Sequence, residues 1–464
     1  MSGDPWPHQQ SISHVSVQQG TRAYVGTFSN CRFGNNDESQ KALEQAVVEC
    51  RNALFLTDPH VDREGIISAK GSRVVGTCEW ITHNASYRAW LNRDGDGNSS
   101  NNDNTRLLWI SGGPGKGKTM LSVFLTEELE RHTARADDAD LAFFFCSAQD
   151  EKRNTAIAVL RGLVRQIIAK RPQLVKHALP KFETPTMTQQ TLSSVEALWL
   201  IFRKLIVDAE LGTMFCVLDG LDECEQSTLG ELLPRLVGLL AGGTPSSSKG
   251  TFKLAIISRD VLSLQGYTRI RLDPDNNKKV VSDIKRFVSE RVKELSKIEG
   301  FNDDFRASVQ ASLLKRAEGT FLWVGFAVYE LLQKRTCSQI WKALEDLPSG
   351  LPAIYSRMLL QIPAEERDVS CAILRWVTLA IRPLQLQELA AATGVRPSYP
   401  GATIESAIRE AITLCGPLLK VQEQEVSLVH QSARDYLLRK ERDSNAVLEQ
   451  FRIEAESAHF DLAR

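Results

Sequence analysis

Residues 112–120 carry the strongest chemical signal in this chain of 464 residues. The segment reads Gly-Gly-Pro-Gly-Lys-Gly-Lys-Thr-Met, and it satisfies the P-loop pattern G-x-x-x-x-G-K-[ST]. Glycines let successive backbone N–H groups turn inward around an anion, because a Cβ atom would obstruct both the turn and the phosphate. The pattern therefore predicts a loop that binds the phosphates of a nucleotide.

Two side chains of this loop have predicted roles. Lys118 is expected to reach the β- and γ-phosphates, and the Thr119 hydroxyl is expected to bind Mg²⁺. A helix that begins at Thr119 adds the positive end of its dipole. The candidate nucleotide-binding residues of this stretch are Gly112, Gly113, Gly115, Lys116, Gly117, Lys118, Thr119 and Met120.

A second group of candidates follows two other apolar runs. Asp219 ends the first run, where a carboxylate is placed to hold Mg²⁺ at the carboxyl edge of a parallel sheet. Asp222 and Glu223 come next, and either of them is placed to orient or deprotonate an attacking water. Arg259 follows the second run, and its guanidinium suits contact with a γ-phosphate. The predicted catalytic residues are Asp219, Asp222, Glu223 and Arg259, and the predicted magnesium ligands are Thr119 and Asp219.

Strands alternating with helices are predicted around these residues. Buried strands are expected at 107–110, 141–146, 214–219, 252–258 and 267–272. Helical periodicity occupies 156–170 and 194–208, after the helix that follows the P-loop. This alternation predicts an α/β fold with a parallel sheet.

The flanking regions read mainly as helical. Before the core we expect a helix at 38–56, then an extended piece leading into one helix that carries both Trp80 and Trp90. After the core, helices and a small hairpin near 417–429 predict a winged-helix module with a structural or switching role. The predicted domains are a tail at 1–36, a helical segment with a linker at 37–105, the P-loop core at 106–274, a helical domain at 275–346 and a winged-helix-like domain at 347–464.

The N-terminal tail leaves two interpretations open. It is rich in Gly, Ser, Gln and Asn, which is typical of a flexible segment. It also holds two β-prone pieces around a glycine turn at 12–26, with few charges and no proline. Such a segment either stays flexible or self-assembles and pairs with strands of a partner.

Composition narrows the class of protein. The net charge of −1 gives no overall field for nucleic acid, and no apolar run approaches the roughly 20 residues that span a bilayer. Nine cysteines without a C-x-x-C pair favour reduced thiols in the cytoplasm. We therefore expect neither a nucleic-acid partner nor a membrane span.

With these residues together, the chain resembles the NACHT class of STAND nucleotide switches, most closely the fungal NOD-like receptors. The resemblance covers about residue 42 to the end. It is carried by the segments at 74–81, 112–119, 218–224, 258–259, 318–324 and 428–437.

The resemblance implies a P-loop core of five strands in the order 5-1-4-3-2, then a helical domain and a winged helix that close over ADP. It also implies that Val75, Gly76 and Thr77 lie near adenine and that His430 touches the bound diphosphate. Where many members carry Gly-x-Pro, this chain has Gly319-Thr320-Phe321. Members of the class usually continue into a repeat domain that senses ligand, whereas this sequence ends at Arg464.

The main hypothesis is a signalling switch of the innate-immunity or heterokaryon-incompatibility type. It would bind ATP or ADP with Mg²⁺, hydrolyse slowly, oligomerise with triphosphate, and engage a downstream signalling protein through its N-terminal region. GTP in place of ATP stays open, as does the choice between Asp222 and Glu223 as the group that activates water. The alternatives are a turnover P-loop ATPase that remodels a substrate, and a scaffold whose nucleotide is structural.

Overall fold

The computed structural model describes residues 36–92, 106–136, 138–241, 251–273, 277–397 and 399–454. The β-prone pieces of the predicted tail and the predicted linker at 94–104 lie outside these residues. Within them, no helix is long and apolar enough to cross a bilayer. The eight cysteines of the described ranges are all free thiols.

The N-terminal region contains three helices: α1 (Asn36–Leu54), α2 (Pro59–Lys70) and α3 (Ala85–Asn92). The sequence did not predict α2, which begins where Asp58 accepts a hydrogen bond from the His60 N–H and Pro59 takes the first position. The single helix predicted to carry Trp80 and Trp90 is wrong. Trp80 lies on a 3₁₀ turn, Glu79–His83, and the extended residue Asn84 then caps α3 through its side chain.

The central domain is a five-stranded parallel sheet with helices on both faces. Its elements are β1 (Leu107–Ser111), α4 (Lys118–Thr133), β2 (Ala139–Phe145), α5 (Ala156–Lys170), α6 (Pro185–Leu192), α7 (Val195–Val207), β3 (Thr213–Asp219), α8 (Gln226–Ala241), β4 (Phe252–Ser258) and β5 (Thr268–Arg271). The strand order is β2-β3-β4-β1-β5, which confirms the predicted order read from the other edge.

Both faces of the sheet are buried because successive side chains point to opposite sides. Leu108 and Ile110 of β1 belong to the core shared with α3 and α4, whereas Leu107 and Trp109 belong to the core shared with α1, α5, α7 and α8. The continuous apolar run that predicted β1 follows from this double burial.

Among the described residues after β5, the regular elements are helices and one three-stranded antiparallel sheet. The helical domain consists of α9 (Lys278–Val292), α10 (Asp303–Arg316), α11 (Phe321–Leu332) and α12 (Cys337–Asp346). Then follow α13 (Leu351–Leu360), α14 (Arg367–Leu379), β6 (Leu384–Gln385), α15 (Leu386–Thr393), α16 (Ile404–Leu414), β7 (Leu419–Gln422), β8 (Glu425–Leu428), α17 (Gln431–Leu437) and α18 (Ala446–Gln450). Helices around a small sheet in the order β6-β8-β7 make a winged helix, as predicted.

Candidate nucleotide-binding site

The site lies where the carboxyl ends of the parallel strands meet. Strand register places Ser111 opposite Ser258, and Asp219 opposite both Phe145 and Ile257. The loop after β1, the acid that ends β3 and Arg259 after β4 therefore share one edge of the sheet. Ligands of open parallel sheets bind at this edge.

The P-loop between β1 and α4 has no room for a side chain at Gly112 or Gly115. A Cβ on Gly112 would lie 2.9 Å from the Leu272 Cβ, and one on Gly115 would lie 2.7 Å from the Thr320 Cγ2. Gly115 and Gly117 also have positive φ, at +68° and +83°. The loop is therefore a narrow backbone turn, as a phosphate cradle requires.

Lys118 begins α4 and turns back across the loop. Its ammonium donates to the carbonyl oxygens of Gly112 at 2.8 Å and Gly113 at 3.0 Å. Burial lowers the pKa of Lys118, while the nearby carboxylates of Asp222 and Asp219 act to raise it. The cation is thus held at the loop among the predicted acidic residues.

Asp219 and Thr119 come together as the predicted magnesium ligands require. Asp219 is 3% exposed and accepts a hydrogen bond from the Ser122 hydroxyl at 2.7 Å, and the Thr119 hydroxyl is close enough to act on its pKa. Burial raises the pKa of Asp219 and these hydroxyls act to lower it. A hydroxyl beside a carboxylate is a donor set that Mg²⁺ accepts, so the residues present fit a magnesium–nucleotide complex.

The two acids after Asp219 have different surroundings. Asp222 accepts hydrogen bonds from the Arg259 backbone N–H at 3.0 Å and pairs with its guanidinium, with Nε 3.2 Å from Oδ2. Glu223 accepts from the Ala148 backbone N–H at 3.3 Å. Burial, helped by the charge of Asp222, raises the pKa of Glu223 to about 7. Asp222 is therefore paired with a cation, whereas the pKa of Glu223 is shifted toward neutral pH.

Arg259 bridges the core and the winged helix. Besides Asp222, its guanidinium donates to Asp435 of α17, with Nη1 2.6 Å from Oδ2. The predicted γ-phosphate contact of Arg259 stays a prediction, since two carboxylates hold this side chain here.

His430 caps α17 and lies near the phosphate-binding cations. Its Nδ1 accepts from the Ser432 N–H at 3.0 Å and contacts the Ser432 hydroxyl at 2.7 Å. Burial, and after it the charges of four nearby cations, lower the pKa of His430 to about 3. These cations are Lys70, Lys118, Arg259 and Lys420. The ring is therefore neutral, and because Nδ1 accepts, Nε2 carries the proton and can donate to a phosphate oxygen.

The segment predicted to lie near adenine sits between α4 and α9. The Arg73 guanidinium lies 4.8 Å from the centroid of the Phe124 ring of α4, and the Arg286 side chain of α9 donates to the Gly76 carbonyl at 2.6 Å. Thr77 is buried and Val75 is 87% exposed. The adenine contacts of Val75, Gly76 and Thr77 stay predictions.

The helical domain closes on the P-loop at the segment that departs from Gly-x-Pro. The Phe321 N–H donates to the Gly115 carbonyl at 2.9 Å, and the Phe321 ring lies against Gly117. Lys116 donates to the Glu318 carbonyl at 2.5 Å. Phe321 thus brings α11 directly onto the loop, while Met120 lies in the first turn of α4.

Sequence reasoning missed several residues of this site. Ser122 lies one helical turn after Lys118, which is a local signal that could have found it. Lys70 ends α2, Lys420 lies in β7 and Asp435 lies in α17, and no local pattern links them to the P-loop. Only the packing of separate domains brings them near His430 and Arg259.

Comparison with known proteins agrees with this architecture. The family model described as "Nephrocystin 3, N-terminal" matches residues 76–259, and the model described as "GPI inositol-deacylase, winged helix domain" matches residues 356–449. Over 401 residues, 84% of this chain, the sequence is 31% identical to the vegetative incompatibility protein HET-E-1 of Podospora anserina. The matched part is 28% of that relative's length.

The solved structures that match this chain are only distantly similar to it. The ORC2 protein of Aeropyrum pernix, in complexes with ADPNP and ADP, is 14% identical with a TM-score of 0.33, covering 81% of this chain and 93% of that one. A Walker-type ATPase of Pyrococcus abyssi is 15% identical with a TM-score of 0.32, covering 71% and 90%.

The strand order, the P-loop and the winged helix define a P-loop NTPase with a winged-helix domain. Within that class, the family-model match over residues 76–259 and the similarity to HET-E-1 confirm the resemblance to fungal NACHT-type NTPases seen in the sequence.

Proposed function

We propose that this chain is a nucleotide-dependent signalling switch that rests closed over ADP and opens with ATP. The observation that carries the proposal is that the winged helix reaches the P-loop edge of the core. Arg259 of the core donates to Asp435 of the winged helix. The neutral His430 ring of the same domain lies within electrostatic range of Lys118 and Arg259. A domain that reaches the phosphate site can respond to the number of phosphates bound there.

Each residue has a part in binding. The P-loop backbone and Lys118 would hold the phosphates, and Thr119 and Asp219 would hold Mg²⁺, which shields the phosphate charge when bound. His430 would donate its Nε2–H to a phosphate of the diphosphate and so favour the closed form. ATP is the proposed triphosphate, with GTP as the alternative.

The free energy needed for such a switch is within reach of these contacts. Inverting a 1:99 population requires a difference of about 5.5 kcal/mol between the two nucleotides. Charge-assisted hydrogen bonds contribute about 1.5–3 kcal/mol each, so two or three of them supply that difference. Signalling by oligomerisation, and by a partner bound through the N-terminal region, is proposed from the incompatibility protein that this chain resembles.

Hydrolysis would reset the switch, with Glu223 as the base. Its side chain is half-buried, its pKa of about 7 suits proton transfer at neutral pH, and the hydrogen bond that it accepts from the Ala148 N–H fixes its orientation. In the proposed step the water oxygen bonds to the γ-phosphorus, Glu223 accepts a proton of that water, and the bond from the γ-phosphorus to the β,γ-bridging oxygen breaks to release ADP and phosphate. Asp222 instead positions Arg259.

The experiment is to measure nucleotide content and size. Purified protein should release ADP on denaturation, Lys118→Ala should release none, and the exposed control Lys181→Ala should match wild type. Light scattering after size exclusion should show large particles with a non-hydrolysable ATP analogue and monomers with ADP. Unchanged nucleotide binding in Lys118→Ala contradicts the proposal.

A turnover ATPase is the second candidate, and the observation that favours it is the pKa of Glu223, which is raised to about 7. It predicts sustained turnover at about 1 s⁻¹ or faster, accelerated by a substrate. A rate far below that, with size set by the nucleotide, favours the switch. Removal of the nucleotide without a change of size would instead indicate a scaffold.

A further inference from the structure

The contact between Arg259 and α17 ties the catalytic edge of the sheet to the winged helix. Arg259 follows β4, whereas Asp435 is 176 residues further along the chain. The Arg259 Nη1 lies 2.6 Å from one Asp435 oxygen, and its Nε lies 3.2 Å from Asp222. Two carboxylates from different domains therefore hold one guanidinium.

The charges of this group do not balance. Asp222 alone neutralises Arg259, since it pairs with the side chain and also accepts from the backbone N–H. Asp435 adds a second negative charge, so the three side chains together carry a net charge of −1. The Arg259 side chain is 30% exposed and that of Asp435 is 42% exposed, so the pair is only partly screened by water.

A guanidinium has one planar set of donors, which fits a carboxylate or a phosphate. While Asp435 occupies Nη1, that donor is not available to a terminal phosphate, and the extra negative charge repels one. A diphosphate does not extend to the γ position and does not compete for this donor.

We propose that Asp435 determines which nucleotide the closed form accepts, because its carboxylate occupies the Arg259 donor that a γ-phosphate would need. The inference rests on the proposed function and deepens it. In the closed form Asp435 accepts the Arg259 hydrogen bond that a γ-phosphate would otherwise accept. A triphosphate can bind Arg259 only when the winged helix moves away. Arg259 is then the point of competition between the nucleotide and α17.

The test is the ratio of two dissociation constants, for ADP and for a non-hydrolysable ATP analogue with Mg²⁺, measured by calorimetry on the full chain. Asp435→Asn should shift this ratio about tenfold toward the triphosphate, as expected for a partly exposed charged hydrogen bond. Glu441→Gln, an exposed acid of the same domain, should leave the ratio unchanged. Asp435→Ser provides the same test if the amide variant fails to fold.

A double-mutant cycle separates competition from a merely structural role. In an Arg259→Ala background, Asp435→Asn should not shift the ratio further, because the contested donor is gone. This inference is overturned if Asp435→Asn leaves the ratio unchanged, or if it shifts the ratio equally with and without Arg259. In either case the proposed function still stands, provided that nucleotide binding depends on Lys118. Loss of nucleotide binding in the wild type overturns both.

Discussion

Replacing Glu223 by glutamine should stabilise the nucleotide-free protein, and the gain should depend on pH. Burial raises the pKa of Glu223 from 4.5 to about 7. Below pH 4.5 the carboxyl is protonated in both states and does not distinguish them. As the pH rises from 4.5 to 7, the unfolded chain ionises while the folded protein keeps its proton, so the wild type loses stability across that window.

The magnitude follows from the difference between the two pKa values. At ~1.36 kcal/mol per pH unit, the loss reaches about 3 kcal/mol above pH 7. For a domain of this size, each kcal/mol moves the melting temperature by roughly 2–4 °C, so the full effect is about 6–12 °C. The glutamine side chain keeps an acceptor for the Ala148 N–H and adds donors that the neighbouring carboxylates can accept.

The assay is thermal unfolding in EDTA at several pH values between 5 and 8.5. The difference in melting temperature between Glu223→Gln and wild type should widen as the pH rises to 7 and then stay level. The exposed Glu225→Gln is the matched control two residues along and should show no such widening. If the difference in melting temperature were the same at pH 5 and pH 8, the pKa of Glu223 would not be raised by folding and the reasoning would be refuted.

Three further predictions concern separate parts of the site. His430→Ala should raise the share of large particles formed with the ATP analogue, measured by light scattering, because a donor to the diphosphate is lost; equal sizes would contradict that role. Lys420→Met should raise the melting temperature at pH 7 by a few degrees, since burial lowers the pKa of Lys420 to about 8 and its ammonium opposes folding. The wild type should recover this stability between pH 8 and 10.5, as its lysine is neutral in the folded protein. A higher melting temperature of the variant that persists above pH 10.5 would contradict this explanation. Gly115→Ala should destabilise by about 2 kcal/mol, because φ is +68° and the new Cβ would lie 2.7 Å from Thr320, whereas Gly113→Ala has open space and serves as the control in the same melting assay.

The sequence by itself determined the P-loop, the strands and the acids that end them, whereas the strand order came from the resemblance to the NACHT class. The first three depend on local patterns: glycines at fixed spacing, apolar runs buried on both faces, and acids at strand ends. The meeting of Thr119 and Asp219 follows from them, because parallel strands bring their carboxyl ends to one edge. The boundary between the turn of Trp80 and α3 was missed, since it depends on a cap at Asn84 within a helix-like pattern.

Only the tertiary structure decided which charged residues pair with one another and which have shifted pKa values. Asp222 and Glu223 are adjacent in sequence, yet Arg259 pairs with one and burial raises the pKa of the other. Asp435 and Lys420 reach the site because the winged helix packs on the core. Burial and long-range ion pairs set the charge state of a group, and neither can be predicted from the residues adjacent to it in sequence.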